Sequence, residues 1–267
     1  MIRLPVQYWR FLIRSFLDEG ADRVFYDQGR LQSLSVDRVS LIRASIHDHD
    51  CGRMELDLDK LNELLKKARV RKGYMTVRKT NGEGEDEEEV EVRVTGDSCV
   101  SMKLRYPRSD KSDNAFTLNV NFTEEFKIGA IPFASACEGM KDCDTVYFFV
   151  GPKLIMGGRT YDDSLKVTAI QIAGGRDSFS AFSAYDIKRL SAFLSRVMEF
   201  SKVLTVKLAH RGPISIYAPT SYFDVEYVLA PRVIESDDIK HLKAILAQAG
   251  ESEAIPTVEQ LMKVKSW

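Results

Sequence analysis

The sequence predicts an α+β protein made of two similar halves, each with antiparallel sheets and helices gathered on one face. Three observations predict this. DLDKLNELLKKA (57–68) and DIKRLSAFLSRV (186–197) spell nearly the same amphipathic helix, with Asp57 on Asp186, Lys60 on Arg189, Leu64 on Phe193 and Lys67 on Arg196. The match continues past the helix at the same offset, where YMTVR (74–78) falls on VLTVK (203–207). A helix and the strand after it therefore recur as a unit, which marks an internal duplication. Finally, each half sets two helices among many short alternating segments joined by tight turns.

The elements follow in order. After a short strand at 2–4, Pro5 opens a helix to about Asp18 with Trp9, Leu12, Ile13 and Phe16 on one face and Arg10 and Arg14 on another. Segments 23–27, 31–36 and 39–46 alternate as strands, and the first repeat helix is followed by strands at 73–80, 88–95 and 98–106. NGEGEDEEE (81–89) reads as a solvated hairpin tip, because like charges there repel. Polar, turn-rich PRSDKSDNA (107–115) is the expected linker between a first domain at 1–106 and a second at 116–234. The second half is expected to carry a strand at 116–128, a helix at about 131–141 and strands at 145–150, 153–158 and 165–172. The repeat helix then precedes strands at 203–209, 213–218 and 222–230. Residues 235–267 have no counterpart in the first half and predict an appended pair of helices. Ser236 caps the first, with Ile239, Leu242, Ile245 and Leu246 on one stripe; Thr257 and Gln260 have capping-box spacing for the second.

The chain has 267 residues, 44% hydrophobic and 29% charged, with a net charge of −1, as in ordinary globular proteins. No apolar run is long enough to span a bilayer, and Arg10 and Arg14 interrupt the N-terminal apolar stretch, so an intracellular protein is expected. The four cysteines (Cys51, Cys99, Cys137, Cys143) are irregularly spaced, which fits reduced thiols better than a disulfide framework.

The chemical candidates are few. IHDHDC (46–51) holds His47, Asp48, His49, Asp50 and Cys51, all able to bind a metal, and a metal-dependent nuclease or hydrolase is the reading it would support. A closed site normally draws ligands from a second segment; His210 and His241 each stand alone, so a polar strand end accounts for it more simply. CEGMKDC (137–143) lacks the spacing of zinc knuckles, and GPKLIMGGR (151–159) and AGGR (173–176) fit neither a P-loop nor a dinucleotide fingerprint. The basic residues say more. Arg10 and Arg14 lie on the first helix, Lys60, Lys66 and Lys67 on the second, Lys188, Arg189 and Arg196 on the fourth. A solvated face explains any one helix, but recurrence at duplicated positions points to phosphates. The third helix, IPFASACEGMK, offers only Lys141, beside Glu138.

At three places the sequence resembles the proliferating cell nuclear antigen (PCNA) family of ring-shaped DNA sliding clamps. LQSLSVDRVSLI (31–42) is similar to the family's central loop, VLTVKLAHRGPISIYAP (203–219) to the paired strands near its end, and YVLAPRV (227–233) to its C-terminal strand and docking segment. The resemblance covers roughly residues 4–234. It implies two clamp domains per subunit and three subunits per ring, with sheets outside and basic helices inside. It also implies the job of tethering polymerases, flap nucleases and ligases on duplex DNA, with these and a clamp loader as partners through docking peptides, and with no cofactor and no chemistry. Carried over residue by residue, Leu34, Arg38, Val39 and Leu41 with Ala230, Pro231, Arg232 and Val233 would form the partner pocket. The DNA-facing set would be the basic residues above with Lys141.

Strands 98–106 and 152–159 lack interior prolines and place Val100, Met102 and Leu104, and Leu154 and Met156, at alternate positions. They are the expected edges that join one subunit to the next, whether copies or paralogues as in a heteromeric or checkpoint-type clamp. Four departures from the family stand out: a short polar linker, an abbreviated stretch after Ile46, a near-neutral charge, and the tail 235–267. The tail's end, QLMKVKSW (260–267), only faintly resembles the peptides that clamps bind, with Lys263 and Ser266 at positions for apolar and aromatic residues.

Overall fold

A computed structural model describes residues 1–47, 52–81, 87–96, 99–107 and 119–263. Asp48–Cys51, most of the acidic hairpin tip, the linker after Pro107 and the last four residues of the tail lie outside the described residues. The chain packs as two compact units, Met1–Leu118 with Thr220–Glu226, and Asn119–Pro219 with Tyr227–Trp267.

The first unit runs β1 (Ile2–Pro5), α1 (Val6–Asp18), β2 (Arg23–Asp27), β3 (Arg30–Leu34), β4 (Ser40–Ile46), β5 (Met54–Asp57), α2 (Leu58–Ala68), β6 (Tyr74–Asn81), β7 (Glu87–Thr95) and β8 (Cys99–Pro107). The second repeats that order with β9 (Glu124–Gly129), α3 (Ala130–Gly139), β10 (Cys143–Val150), β11 (Lys153–Thr160), β12 (Leu165–Gln171), β13 (Ala181–Tyr185), α4 (Ile187–Val197), β14 (Val203–Leu208), β15 (Ile214–Pro219) and β16 (Phe223–Leu229). Strand for strand the sheets correspond. β1-β6-β7-β8 matches β9-β14-β15-β16, and β5-β2-β3-β4 matches β13-β10-β11-β12. Both repeat helices start at an aspartate cap: Asp57 accepts from the Lys60 amide at 2.9 Å and Asp186 from the Lys188 amide at 3.0 Å. Each cap satisfies an otherwise orphaned donor of the first turn.

The helices cover one face of their sheets with the stripe the sequence predicts. In α1, Trp9, Leu12, Ile13 and Phe16 are buried, and the Trp9 indole donates to the Met75 carbonyl at 2.9 Å. In α2 and α4 the matched residues Leu61, Leu64 and Leu65, and Leu190, Phe193 and Leu194, are buried. Phe193 stacks on Tyr227 with centroids 4.6 Å apart, and Phe148 packs edge-on to Phe133 and Tyr185.

Several expectations are corrected. β11 is an interior strand, paired with β10 on one side and β12 on the other, so 152–159 is not a sheet edge. Leu154 and Met156 point to the helix side at 0% exposure and are core residues, not an interface. The outer strands of that sheet are β12 and β13. β5 and β13 are strands the periodicity missed. β5 has four residues that run straight into a helix cap, and all five residues of β13 (AFSAY) are buried, which erases alternation. Among the described residues, the strand expected at 116–128 is regular only over Glu124–Gly129.

Residues 235–263 form a docked layer. Glu235, not Ser236, makes a capping box with Asp238 at a 3₁₀ turn, and α5 (Ile239–Gln248) follows. A second 3₁₀ turn leads into α6 (Ile255–Lys263), so Thr257 sits inside the helix instead of capping it. Leu242, Ile245, Leu246 and Val258 pack on Tyr147, Phe149, Ile155 and Phe182 of the β10–β13 sheet. Gly157 makes room for this layer, since a Cβ there would stand 2.5 Å from Ile245 Cγ2. The corresponding row in the first unit, Glu55–Phe25–Gln32–Arg43, is half-buried and polar apart from Phe25, whereas Phe182–Phe149–Ile155–Ala169 is apolar.

Polar ties fix the layer. The Tyr147 hydroxyl donates to Asp238 at 2.8 Å, Lys153 pairs with Glu251 at 2.7 Å, and Arg211 reaches the carbonyls of Ile234 and Met262 at 3.1 and 3.5 Å. His210 lies between, its Nδ1 accepting from the Phe182 amide at 3.4 Å and its Nε2 3.0 Å from the Leu261 carbonyl, which only an Nε2–H can serve. Burial, with the Arg211 charge adding to it, holds the His210 pKa below its ordinary value against the opposing pull of the Leu261 carbonyl. The neutral ring therefore supports the fold fully above the ordinary imidazole value of about 6.5, and the support is lost as pH falls through the lower folded value. Amides of α6 are expected to exchange faster at about pH 5 than at about pH 7.5 after correction for intrinsic rates, and His210→Gln should remove that dependence. An unchanged profile in the wild type would rule the histidine tie out.

Candidate nucleic-acid interface

Cations gather on the helices of each unit. In the first, the Arg10 guanidinium donates to the Val70 carbonyl at 2.8 Å, which ties α1 to the loop after α2, and Arg14 is exposed. Lys60, Lys66 and Lys67 are exposed on α2; Lys60 touches Asp57 at 3.2 Å and Lys67 touches Glu63 at 3.5 Å. Such exposed pairs are weak and leave the charge available to a stronger anion. Arg69, Arg71 and Lys72, not among the expected cations, continue the run and are all exposed. The signal was there in KKARVRK (66–72), which runs across the end of a helix, where cations also complement the dipole.

In the second unit, Lys188 is exposed, 3.0 Å from the Tyr161 hydroxyl and over its ring at 5.7 Å, and the Tyr161 hydrogen bond raises its pKa. Arg189 and Arg196 are half-buried. Lys141 is offset by Glu138 at 2.6 Å, and that contact holds the Glu138 carboxyl below its usual range. α3 otherwise presents Ile131, Pro132 and Ser135, so its solvent face is nearly uncharged. Three helices of the four thus offer cations, and one does not.

The residues expected to bind partners fall in different units. The β3–β4 turn is tightly built: the Ser35 hydroxyl donates to Asp37 at 2.7 Å and accepts from the amides of Val39 and Ser40 at 3.1 and 2.9 Å, with Arg38 at φ 59°. Leu41 is 2% exposed and belongs to the core, so it offers no binding surface; Leu34 and Val39 are half-buried. Val36, outside the expected pocket residues, is 82% exposed. In the second unit Ala230 and Pro231 are half-buried and Val233 is 85% exposed. Arg232 is engaged by Asp144 at 3.0 Å and Asp186 at 3.5 Å. His47 pairs with Asp224 at 3.1 Å, and no group of three metal-capable side chains occurs among the described residues. No helix among them is long and apolar enough to cross a membrane.

No family profile and no curated protein sequence matches the chain. Solved structures do. PCNA from Thermococcus kodakaraensis aligns at TM-score 0.69 and 19% identity over 87% of this chain and 100% of that one. The PCNA2–PCNA3 complex from Sulfolobus tokodaii aligns at 0.68 and 14% over 86% and 99%, and A. fulgidus PCNA bound to the C-terminal region of FEN-1 at 0.67 and 15% over 88% and 100%. Those chains are matched over nearly their whole length while about an eighth of this one is left over, the share that residues 235–267 make up. Duplicated order, sheet arrangement and structural similarity agree: the chain has the fold of the PCNA-type DNA sliding clamps.

Proposed function

We propose that this chain is a subunit of a ring that encircles duplex DNA and tethers replication and repair enzymes to it, as a processivity factor in the compartment that holds chromosomal DNA. The observation that carries the reading is the duplicated helix pair with cations at matched positions, Lys60 with Arg189 and Lys67 with Arg196, on a clamp fold. Contacts of that kind need only positive charge and read no bases.

The sheet order supports assembly. β4 is covered on its outer side by β16, whose Phe223–Glu226 stretch belongs to the first unit, while its counterpart β12 and the counterpart of β16, β8, each have a strand on one side only among the described residues. Unlike open edges are suited to pair head to tail, and such pairing closes a ring when the rotation per subunit closes. A heteromeric ring is the second reading, favoured by the likeness to a solved complex of two different clamp subunits. Enzymes would dock by apolar segments, a reading supported by the likeness to a clamp solved with part of a flap nuclease.

The test is retention of the assembled protein on closed circular duplex and on the same DNA linearised. Retention on circles that is lost on cutting, without sequence preference, is the expected result; equal retention on both would sink the ring. For docking, Val36→Asp and Val233→Asp each place a charge on an exposed apolar residue and are expected to weaken clamp-binding peptides by about tenfold or more without changing assembly. Peptide affinity equal to wild type in both variants would remove these residues from the docking surface.

A further inference from the structure

The open side of β12 is a slot with two walls. α3 stands on the helix-facing side with Pro132, Ser135 and Ala136, and Gln248, the last residue of α5, closes the other side at Leu165–Thr168. Two depressions of about 380 and 510 Å³ share Ser135, Ala136 and Thr168 and together follow β12 from Leu165 to Gln171. Seven residues of strand measure about 24 Å. Leu165 and Val167 already pack against the α5 layer, so the appended helix reaches the margin of the sheet.

On the clamp reading this slot takes an edge strand of a second copy, and we infer that α5 is one of its walls, which makes the C-terminal extension part of the joint between chains. The inference rests on the clamp reading above. The occupant is named by the duplication: β4 is covered by β16, and what corresponds to β16 is β8. β8 has the rows such a slot requires. Val100, Met102 and Leu104 are half-buried or buried, while Ser101, Lys103 and Arg105 are exposed. Entering antiparallel with its apolar row toward α3, β8 turns its charged row toward α5. A centred register that keeps like rows together sets Lys103 across from Val167 and Arg105 across from Leu165, the residues Gln248 flanks. Neither cation is bare, since both reach Glu89, Lys103 at 2.8 Å and Arg105 at 3.4 Å. The pair of them still presents net positive charge to the wall.

Gln248 is exposed, so changing it should leave the fold intact. The experiment is sedimentation velocity of the full chain over a range of concentrations, with thermal unfolding as the check on folding. Gln248→Arg is expected to weaken self-association about tenfold, because a like charge then faces Lys103 and Arg105, and Gln248→Glu is expected to tighten it. Ser135→Arg on the opposite wall should abolish it. If both Gln248 variants assemble as the wild type does while Ser135→Arg does not, the extension is no part of the joint and the clamp reading stands. A wild type that stays monomeric at every concentration overturns the joint between copies and leaves the heteromeric ring as the clamp reading.

Discussion

A chain that ends at Ile234 is expected to lose native packing in its second unit. The truncation bares Phe149, Ile155 and Phe182 at the centre of a sheet face, with Tyr147 and Val167 beside them. Leu242, Ile245 and Leu246, each 0% exposed, are removed, and each buried side chain of that kind is worth about 1.5–3 kcal/mol. Set against a net stability of about 5–15 kcal/mol for a domain, the loss is a large part of it. The shortened protein should bind a hydrophobic dye, aggregate and show an early unfolding transition, with exchange protection in α1 and α2 outlasting that in α4. Two point variants reach the same contact from either side: Ile245→Asp buries a charge, and Gly157→Val forces a side chain into Ile245. A truncated chain that unfolds at the temperature of the full one would show the layer to be ornamental.

The second large effect concerns DNA. Lys60, Lys66, Lys67 and Arg71 are exposed and make at most local ion pairs, so replacing all four with glutamate should leave the fold in place. If each sits near a phosphate, their loss lowers the slope of log affinity against log salt by about 3.5. Retention on circular DNA should become weak even at low salt, and the wild type should show no preference among DNA sequences. Retention by the fourfold variant with an unchanged salt slope would remove this surface from the interface. Lys188, exposed on α4, gives the matching arm in the second unit.

Much of this was legible in the sequence where local periodicity and long-range order agree. The repeated helix carries its own cap, stripe and cations in one segment, so DLDKLNELLKKA and DIKRLSAFLSRV disclose position, face and charge together. The order of strands across a sheet is different. Nothing in KLIMGGR says that β11 lies between two neighbours, because pairing on the second side comes from residues beyond the next turn. Burial on both faces hides a strand altogether, as in AFSAY. Leu41 reads the same whether it lines a pocket or fills a core, and only packing decides that it is buried. The extension's stripe was legible, but not that its partner face was already apolar.

That face creates a mutual dependence. The two units have matching sheets, yet one outer row reads Glu55–Phe25–Gln32–Arg43 and the other Phe182–Phe149–Ile155–Ala169. Once the second row is greasy, losing the tail is harmful; once the tail is present, a return of polar residues beneath it is harmful too. Each half of the arrangement has become the selective environment of the other. The dependence works as a ratchet: a terminal segment, ordinarily the easiest part of a protein to trim, is locked in by apolar residues far upstream of it in the chain.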